Sequence, residues 1–356
     1  MPKMIDAEVA AVSEQLRNQF LLYREGERLP SYRSLLESCR CSRQTLTLVL
    51  RRLAKERVVR SEPRRGMFAC GGGGRVRRIL FFRVDWNCEH ANRISEELQY
   101  EFSLRRNYVY TEQRYAPDQL EREIGKFSQR HCDLLILWLE EVEPQILLSL
   151  FRLRIPMVFF DCGIMLHGAA ILDMQEELMG MLAAKHLVEN GHRRIALLLT
   201  EPKGLTCTKK INGFCDYLHL YGITPRLVDC NIRHGEASRS TCGDFLLGYF
   251  QSHRIDFTAC FAMSDYSALA VMESFKVLGK RIPDEISIVG CQGEMAGEKC
   301  DPPLTTVVFD AREIARKLAA GVDGFFAGGD FGICRVPPLL IPRGSVRRIS
   351  PEVSQV

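Results

Sequence analysis

In the stretch LPSYRSLLESCRCSRQTLTLVLRRL, residues 29–53, the side chains Arg43, Gln44 and Thr47 stand off the apolar stripe formed by Leu46, Val49, Leu50 and Leu53. A helix that buries this stripe turns its polar start outward, and Arg and Gln can form paired hydrogen bonds with guanine and adenine edges in a DNA major groove. A basic turn, Pro63-Arg64-Arg65-Gly66, follows between two strand-like runs, Val58–Arg60 and Met67–Ala69. A second set of polar residues closes apolar runs further along: Asp85 and Trp86 after RILFFRV, Asp161 after VFF, Ser264 and Asp265 after CFAM, and Gln292 after IVGC. Carboxylates and amides that hold hydroxyl groups beside an aromatic face suit a sugar, and each could instead cap a helix or turn. For Asp265, directly before a helix, capping and ligand contact are equally open.

The elements that must position the first set are short helices. Val9, Val12, Leu16 and Phe20 recur at helical spacing, Pro30 and Ser31 mark a turn and an N-cap before a helix ending near Cys39, and Ser42 caps a third helix. Two helices joined by a tight turn, followed by a basic β-wing, predict a winged helix-turn-helix over residues 1–70. The alternative for its arginines is a solvated surface or ion pairing with Glu37 or Glu62. Gly71–Gly74 then read as a flexible joint within a linker over residues 71–77. A nucleotide-binding loop is a poor fit, because these glycines lead into a strand and lack the Lys-Ser/Thr that holds phosphate and magnesium.

From residue 78 onward strands alternate with helices: RILFFRV, then helix 92–105, YVYTEQ, helix 118–130, LLILWL and IPMVFFD. The rhythm resumes with helix 176–190, RIALLLT, helix 208–221, LVDC, helix 237–250, FTACFA, helix 265–278 and ISIVG. This predicts an α/β chain with two buried parallel sheets, whose ligands would lie at the carboxyl ends of the strands in a cleft between the halves.

Composition limits the functions. Of 356 residues, 46% are hydrophobic and 26% charged, as in ordinary globular proteins, and no apolar run is long enough to span a bilayer. Residues 1–78 carry 17 Lys and Arg against 8 Asp and Glu, net +9, leaving −5 for the rest of a chain whose total is +4. A basic head on a mildly acidic body is the footprint of a module that meets a polyanion. Fourteen scattered cysteines predict buried thiols rather than a disulfide scaffold, and Cys39 and Cys41 have no second Cys/His pair at zinc spacing, so no metal or cofactor is expected. The start MPKMIDAEVAAVSEQLRNQF lacks the order of a secretory signal, which predicts a cytoplasmic protein. His192, in GHRRI, reads as part of a helix stop and strand start; no nucleophile or carboxylate pair accompanies it, so no enzyme activity is expected.

The segment LPSYRSLLESCRCSRQTLTLVLRRLAKERVVRSEPRRGMFA resembles the DNA-binding domain of the GntR regulator family. That resemblance implies phosphate contacts from Ser31 and Arg33, groove contacts from Ser42, Arg43, Gln44 and Thr45, and a wing tip at Arg65 and Gly66, with Arg64 beside it as a further DNA-binding candidate. Thr47 and Arg64 depart from the family's arginine and glycine. LVENGHRRIALLLT, INGF, SDYSALAVMESFKVLGKRIPDEISIVG, PPLTTVVFD and PLLIPRGS resemble the effector domain of the LacI regulator family. This implies a two-lobed periplasmic-binding-protein-like (type I) fold over residues 78–348, with one lobe about 78–162 and 292–322 and the other about 163–291 and 323–348. It also implies effector contacts from Asp161, Lys210, Ser264 and Gln292, which together with the strand-end residues Trp86 and Asp265 make up the candidate effector site. Lys210 replaces the family's arginine, Ser264 its asparagine and Gln292 its aspartate, so the ligand is expected to differ from the usual hexose. Gly71–Gly74 stand in place of the family's interdomain helix. The two resemblances together imply a homodimeric repressor that binds operator DNA and a carbohydrate-like effector. A sugar-binding protein without regulatory DNA contact, and an α/β enzyme using the same cleft, are the alternatives.

Overall fold

The computed structural model describes residues 2–20, 23, 26–56, 58–63, 65–70, 76–85, 88–105, 107–116, 119–127, 132–139, 142–163, 168–233 and 235–350. Gly71–Gly74, Arg64 and Trp86 therefore lie outside the described residues.

The head consists of α1 (Pro2–Phe20), α2 (Tyr32–Cys39), α3 (Arg43–Lys55), β1 (Val59–Glu62) and β2 (Gly66–Ala69). Caps written in the local sequence start α2 and α3: Ser31 Oγ accepts from the Ser34 amide at 3.2 Å, and Ser42 Oγ from the Thr45 amide at 3.0 Å. Arg40 ends α2 in the left-handed region, at φ 48°, which turns the chain sharply into α3. The apolar stripes of α1 and α3 meet in one core of Val12, Leu16, Phe20, Leu35, Leu46, Val49 and Leu53. Strands β1 and β2 form the antiparallel wing, with Glu62 opposite Gly66, and residues 26–29 run along the outer side of β2 through Leu29 N to Met67 O at 2.9 Å and Ala69 N to Glu27 O at 2.9 Å.

The body continues as β3 (Arg77–Val84), α4 (Glu89–Ser103), β4 (Tyr108–Tyr115), α5 (Leu120–Ile124), β5 (Leu134–Trp138), α6 (Pro144–Arg152), β6 (Met157–Phe160) and β7 (Ala170–Asp173). Then come α7 (Glu176–Glu189), β8 (Ile195–Leu199), α8 (Leu205–His219), β9 (Arg226–Asp229), α9 (Ser238–Ser252), β10 (Ala259–Ala262), α10 (Asp265–Val277) and β11 (Ser287–Cys291). The chain closes with α11 (Met295–Lys299), β12 (Thr305–Val308), α12 (Ala311–Phe326), β13 (Ile333–Arg335) and β14 (Leu339–Ile341). One six-stranded sheet runs β13-β7-β6-β5-β3-β4 and is wholly parallel; the other runs β14-β12-β11-β10-β8-β9, with β14 alone antiparallel. Central strands such as β5 and β8 are buried throughout, as parallel strands covered on both faces must be.

The expected α/β body with two parallel sheets is present, but the lobe boundaries need correction. Strand β12 pairs with β11, so residues 305–308, expected in the first lobe, belong to the second sheet, and β7 (expected in the second) pairs with β6 in the first. The chain passes between lobes after β7, returns after β12 to α12, which packs on α4, and crosses again between β13 and β14. Arg77, expected in the linker, already pairs with Tyr108 in the first sheet.

Two packing features fix the second lobe. A Cβ added to Gly180 of α7 would stand 1.9 Å from the Lys210 carbonyl oxygen, and one on Gly213 of α8 would stand 2.0 Å from the Glu177 carbonyl oxygen. Only hydrogen fits at either point, so the helices touch backbone to backbone and Lys210 is carried to the first turn of α7. His192 is fully buried as a joint, its Nδ1 2.9 Å from Thr258 Oγ1 and its Nε2 3.1 Å from the Arg347 carbonyl oxygen. It ties the C-terminal segment to β8 and β10, and burial depresses its pKa to about 4.

Candidate functional site

In the head, the exposed start of α3 presents Ser42, Arg43 and Gln44. Tyr32 of α2 braces this turn: its hydroxyl donates to the Arg43 carbonyl at 2.9 Å and lies 3.0 Å from Thr47 Oγ1. Thr47 Oγ1 also donates back to the Arg43 carbonyl at 2.8 Å. Thr45 departs from the expectation of a groove contact. It is buried, its hydroxyl donating to Glu8 Oε2 of α1 at 3.1 Å and lying 2.8 Å from Ser42 Oγ, so it fastens α3 to α1. The reason is helical geometry: residue 45 lies four positions before the buried Val49 and eight before the buried Leu53, on the same inward face.

Ser31 and Arg33 are exposed, and Arg33 pairs loosely with Glu37 at 3.3 Å in a fully solvated setting. On the wing, Glu62 gathers Arg60 at 3.1 Å and Arg65 at 2.7 Å, while both guanidinium groups lie over the Phe68 ring at 5.7 and 5.6 Å. Gly66, at φ 110°, makes the bend that places Arg65 at the tip. The ion pairing weighed as an alternative thus occurs at Arg33 and Arg65, yet exposed pairs of this kind hold only weakly and yield to a stronger anion.

The second site lies between the lobes, at the carboxyl ends of both sheets. Asp161 follows β6 in the left-handed region, φ 48°, with its amide donating to the Leu172 carbonyl at 2.8 Å. The residue is 95% buried, and among the described residues neither carboxyl oxygen meets a hydrogen-bond donor in proper geometry. The Met174 amide is near enough to ease its charge without making that bond. Burial first, and then the carboxylates of Glu176 and Asp173, push its pKa well above the usual range against the opposing pull of Lys209. Lys210, equally buried, pairs with Glu176 at 3.3 Å; that partnership outweighs desolvation and holds the ammonium group charged.

In the second lobe the strand-end residues satisfy one another. Ser264 caps α10, accepting from the Ser267 amide at 3.1 Å, and its hydroxyl donates to Glu201 Oε1. Glu201 Oε2 accepts from Ser238 Oγ at 2.6 Å, so one carboxylate bridges the starts of α9 and α10. Asp265 departs from a ligand-facing role: Oδ1 accepts from Thr306 Oγ1 at 2.7 Å and Oδ2 from the Glu294 amide at 2.8 Å. Both lone-pair sets are consumed in locking α10 to β12 and α11, and burial raises this carboxyl to about 7. Gln292, at φ 94°, acts through its backbone: its amide donates to the Val307 carbonyl at 2.8 Å and its carbonyl accepts from Arg93 Nη2, also at 2.8 Å.

That last bond crosses the cleft, as does the bond from the Met295 amide to Glu89 Oε2 at 3.0 Å. Around them stand His90, whose buried Nδ1 has no partner among the described residues and whose pKa is depressed to about 3 by burial and by Arg93 and Lys210, and Glu294, raised to about 7 by burial and by Asp265, Glu89 and Glu201. The residues missed by sequence reasoning are therefore Glu89, His90, Arg93, Glu176, Glu201 and Glu294 in the cleft, and Tyr32 in the head. Glu201 follows the apolar run IALLLT within two residues, the same signal that singled out Asp161.

Residues 9–69 match the family of bacterial regulatory proteins, gntR family, and residues 184–346 match the periplasmic binding protein-like domain. The HTH-type transcriptional repressor PurR of Aliivibrio salmonicida is 28% identical over 204 residues, covering 56% of this chain and 59% of its own. The chain thus spans less than two thirds of the curated relatives it matches. Among solved structures, a LacI family transcriptional regulator from Enterococcus faecium with bound ribose superposes with a TM-score of 0.62 at 20% identity, over 77% of this chain and 100% of that one. The lac repressor dimer bound to operator and an anti-inducer superposes with a TM-score of 0.64 at 20% identity, over 77% and 96%. The body therefore has the fold of these regulators.

Proposed function

We propose that this chain, in which a GntR-type winged-helix head is joined to a periplasmic-binding-protein-like body, is a cytoplasmic, ligand-responsive transcription repressor. The observation that carries the reading is the exposed Arg43-Gln44 pair at the capped start of α3, beside a wing tipped by Arg65, on a chain whose body holds a buried unpartnered carboxylate between two lobes. Arg43 and Gln44 read base edges; Ser31, Arg33, Ser42 and the wing residues Arg65 and Gly66 hold phosphates. Asp161 receives the effector, a sugar or sugar-like molecule, with Lys210 and Glu176 behind it and Gln292 and Ser264 on the facing lobe. The relatives and structural neighbours, among them a repressor, a ribose complex and an operator-bound dimer, support this reading. A homodimer would set two heads on a pseudo-palindromic site.

The test is selection of genomic fragments by the full chain at fixed salt, with and without a sugar panel, alongside Arg43→Ala. A palindromic site retained by the parent, lost by Arg43→Ala and changed in occupancy by a sugar is the expected result. Equal retention by the variant would remove the direct-readout role of α3.

A further inference from the structure

The strand pairing of the wing brings an unassigned arginine to its tip. Residues 26–29 run antiparallel along the outer side of β2, where Arg28 stands opposite Phe68, and Phe68 in turn stands opposite Arg60 of β1. Residues directly opposite one another across a ladder share a face, as do residues two apart along a strand. Arg28, Phe68, Arg60, Gly66 and Glu62 therefore occupy one side of the wing, while Leu29, Val59 and Ala69 are buried on the other. On the solvent side the Glu62 carboxylate is taken by Arg60 and Arg65, whose guanidinium groups both lie over the Phe68 ring. Arg28 is exposed, and no carboxylate among the described residues pairs with it. Its guanidinium reaches along the sheet to the bend: a Cβ built on Gly66 would stand 3.4 Å from Arg28 Nε and 3.6 Å from Nη2. Because Gly66 carries only hydrogen, the guanidinium lies close against the backbone and the tip stays thin.

This division of partners separates two kinds of contact. Arg65, tethered by Glu62 and Phe68, suits a phosphate beside the tip, whereas Arg28 has no ion pair to give up. A guanidinium donates hydrogen bonds and cannot accept them. In the minor groove A·T pairs present only acceptors, G·C pairs add the guanine amino donor, and A·T-rich runs narrow the groove and strengthen its negative potential. A donor-only cation on a thin edge fits the first and is opposed by the second. We propose that Arg28 enters the minor groove and gives this protein a preference for A·T base pairs flanking the sequence that α3 reads. This rests on the reading of the head as a DNA-binding module.

The test presents the full chain, Arg28→Ala and Arg43→Ala with a randomised duplex library at fixed salt and sequences what each retains. Affinities are then measured by anisotropy on the parent's preferred duplex with A·T-rich and with G·C-rich flanks. The parent should enrich a central motif with A·T flanks. Arg28→Ala should lose the flank enrichment and bind the A·T-flanked duplex about fivefold more weakly, the lower end of what one misread base pair carries, with a far smaller change on G·C flanks. Arg28→Gln, which keeps most of the side chain's reach without the charge, should behave alike, and the melting temperatures of both variants report that they fold. Equal weakening on both flanks makes Arg28 a phosphate contact and overturns the proposal. So does a flank preference that survives both variants, or a parent that has none. If Arg43→Ala still enriches the parent's motif, the readout role of α3 fails while the flank comparison still decides Arg28. A parent that enriches no motif at all removes the DNA-reading head, and this inference falls with it.

Discussion

Replacing Lys210 by Met isolates the energetics of the cleft. The Lys210 Nζ and Glu176 Oε2 atoms are 3.3 Å apart, with side chains only 4% and 7% exposed, so the substitution strands a carboxylate in a dry site. Breaking one half of a buried pair costs about 3–5 kcal/mol, whereas removing both charges is often nearly neutral. Lys210→Met should therefore lose about 3–5 kcal/mol in urea unfolding at pH 7 and melt on the order of 10 °C lower, while Lys210→Met combined with Glu176→Gln should recover most of the loss. The Lys210 pKa is raised, so its contribution is complete below the unfolded lysine value of about 10.4 and is lost only on passing through a folded value above that; the deficit of the single variant should be flat across neutral pH. A single variant within about 1 kcal/mol of the parent, or a double variant worse than the single, would refute the argument that the two charges are held by each other.

Asp265 has its pKa raised to about 7, so keeping it ionised in the fold is unfavourable, and stability relative to Asp265→Asn should fall as pH rises from about 4 to 7 and then level, by at most about 4 kcal/mol. Denaturation curves at several pH values check this, and a parallel pair of pH profiles would count against it. His192 has the opposite slope: its depressed pKa, about 4, stabilises the fold above the unfolded value of about 6.5 and loses that contribution as pH falls toward 4, by about 3 kcal/mol. His192→Gln should flatten this part of the profile. On the wing, Arg65→Ala should weaken binding to all DNA sequences alike and reduce the slope of log affinity against log salt by about 1; a change confined to one base position would assign Arg65 to base readout instead.

The strand-end aspartates show where reasoning from sequence stops. Asp161 and Asp265 each follow a short apolar strand, and nothing local separates them. Their donors do. Asp265 is met by Thr306 and by the Glu294 amide, brought from β12 and the start of α11, whereas Asp161 faces Glu176, Asp173 and Lys209 and, among the described residues, finds no donor in hydrogen-bond geometry. Thr45 repeats the point in the head, where its partner, Glu8, comes from a separate helix.

Local sequence by itself determined the head and the alternation of the body. Serine caps, helical stripes, the Pro-Arg-Arg-Gly turn and continuous apolar strands act within a few residues, and α2, α3, β3, β5, β8 and α10 stand close to where these signals put them. Tertiary structure alone decided which lobe received β7 and β12, that Gly180 and Gly213 would bring Lys210 to Glu176, and which carboxyl group would be left without a donor. Strand partners, helix contacts and donors for buried carboxylates come from residues tens of positions away in the chain. They are set by the packing of the whole body rather than by any local pattern.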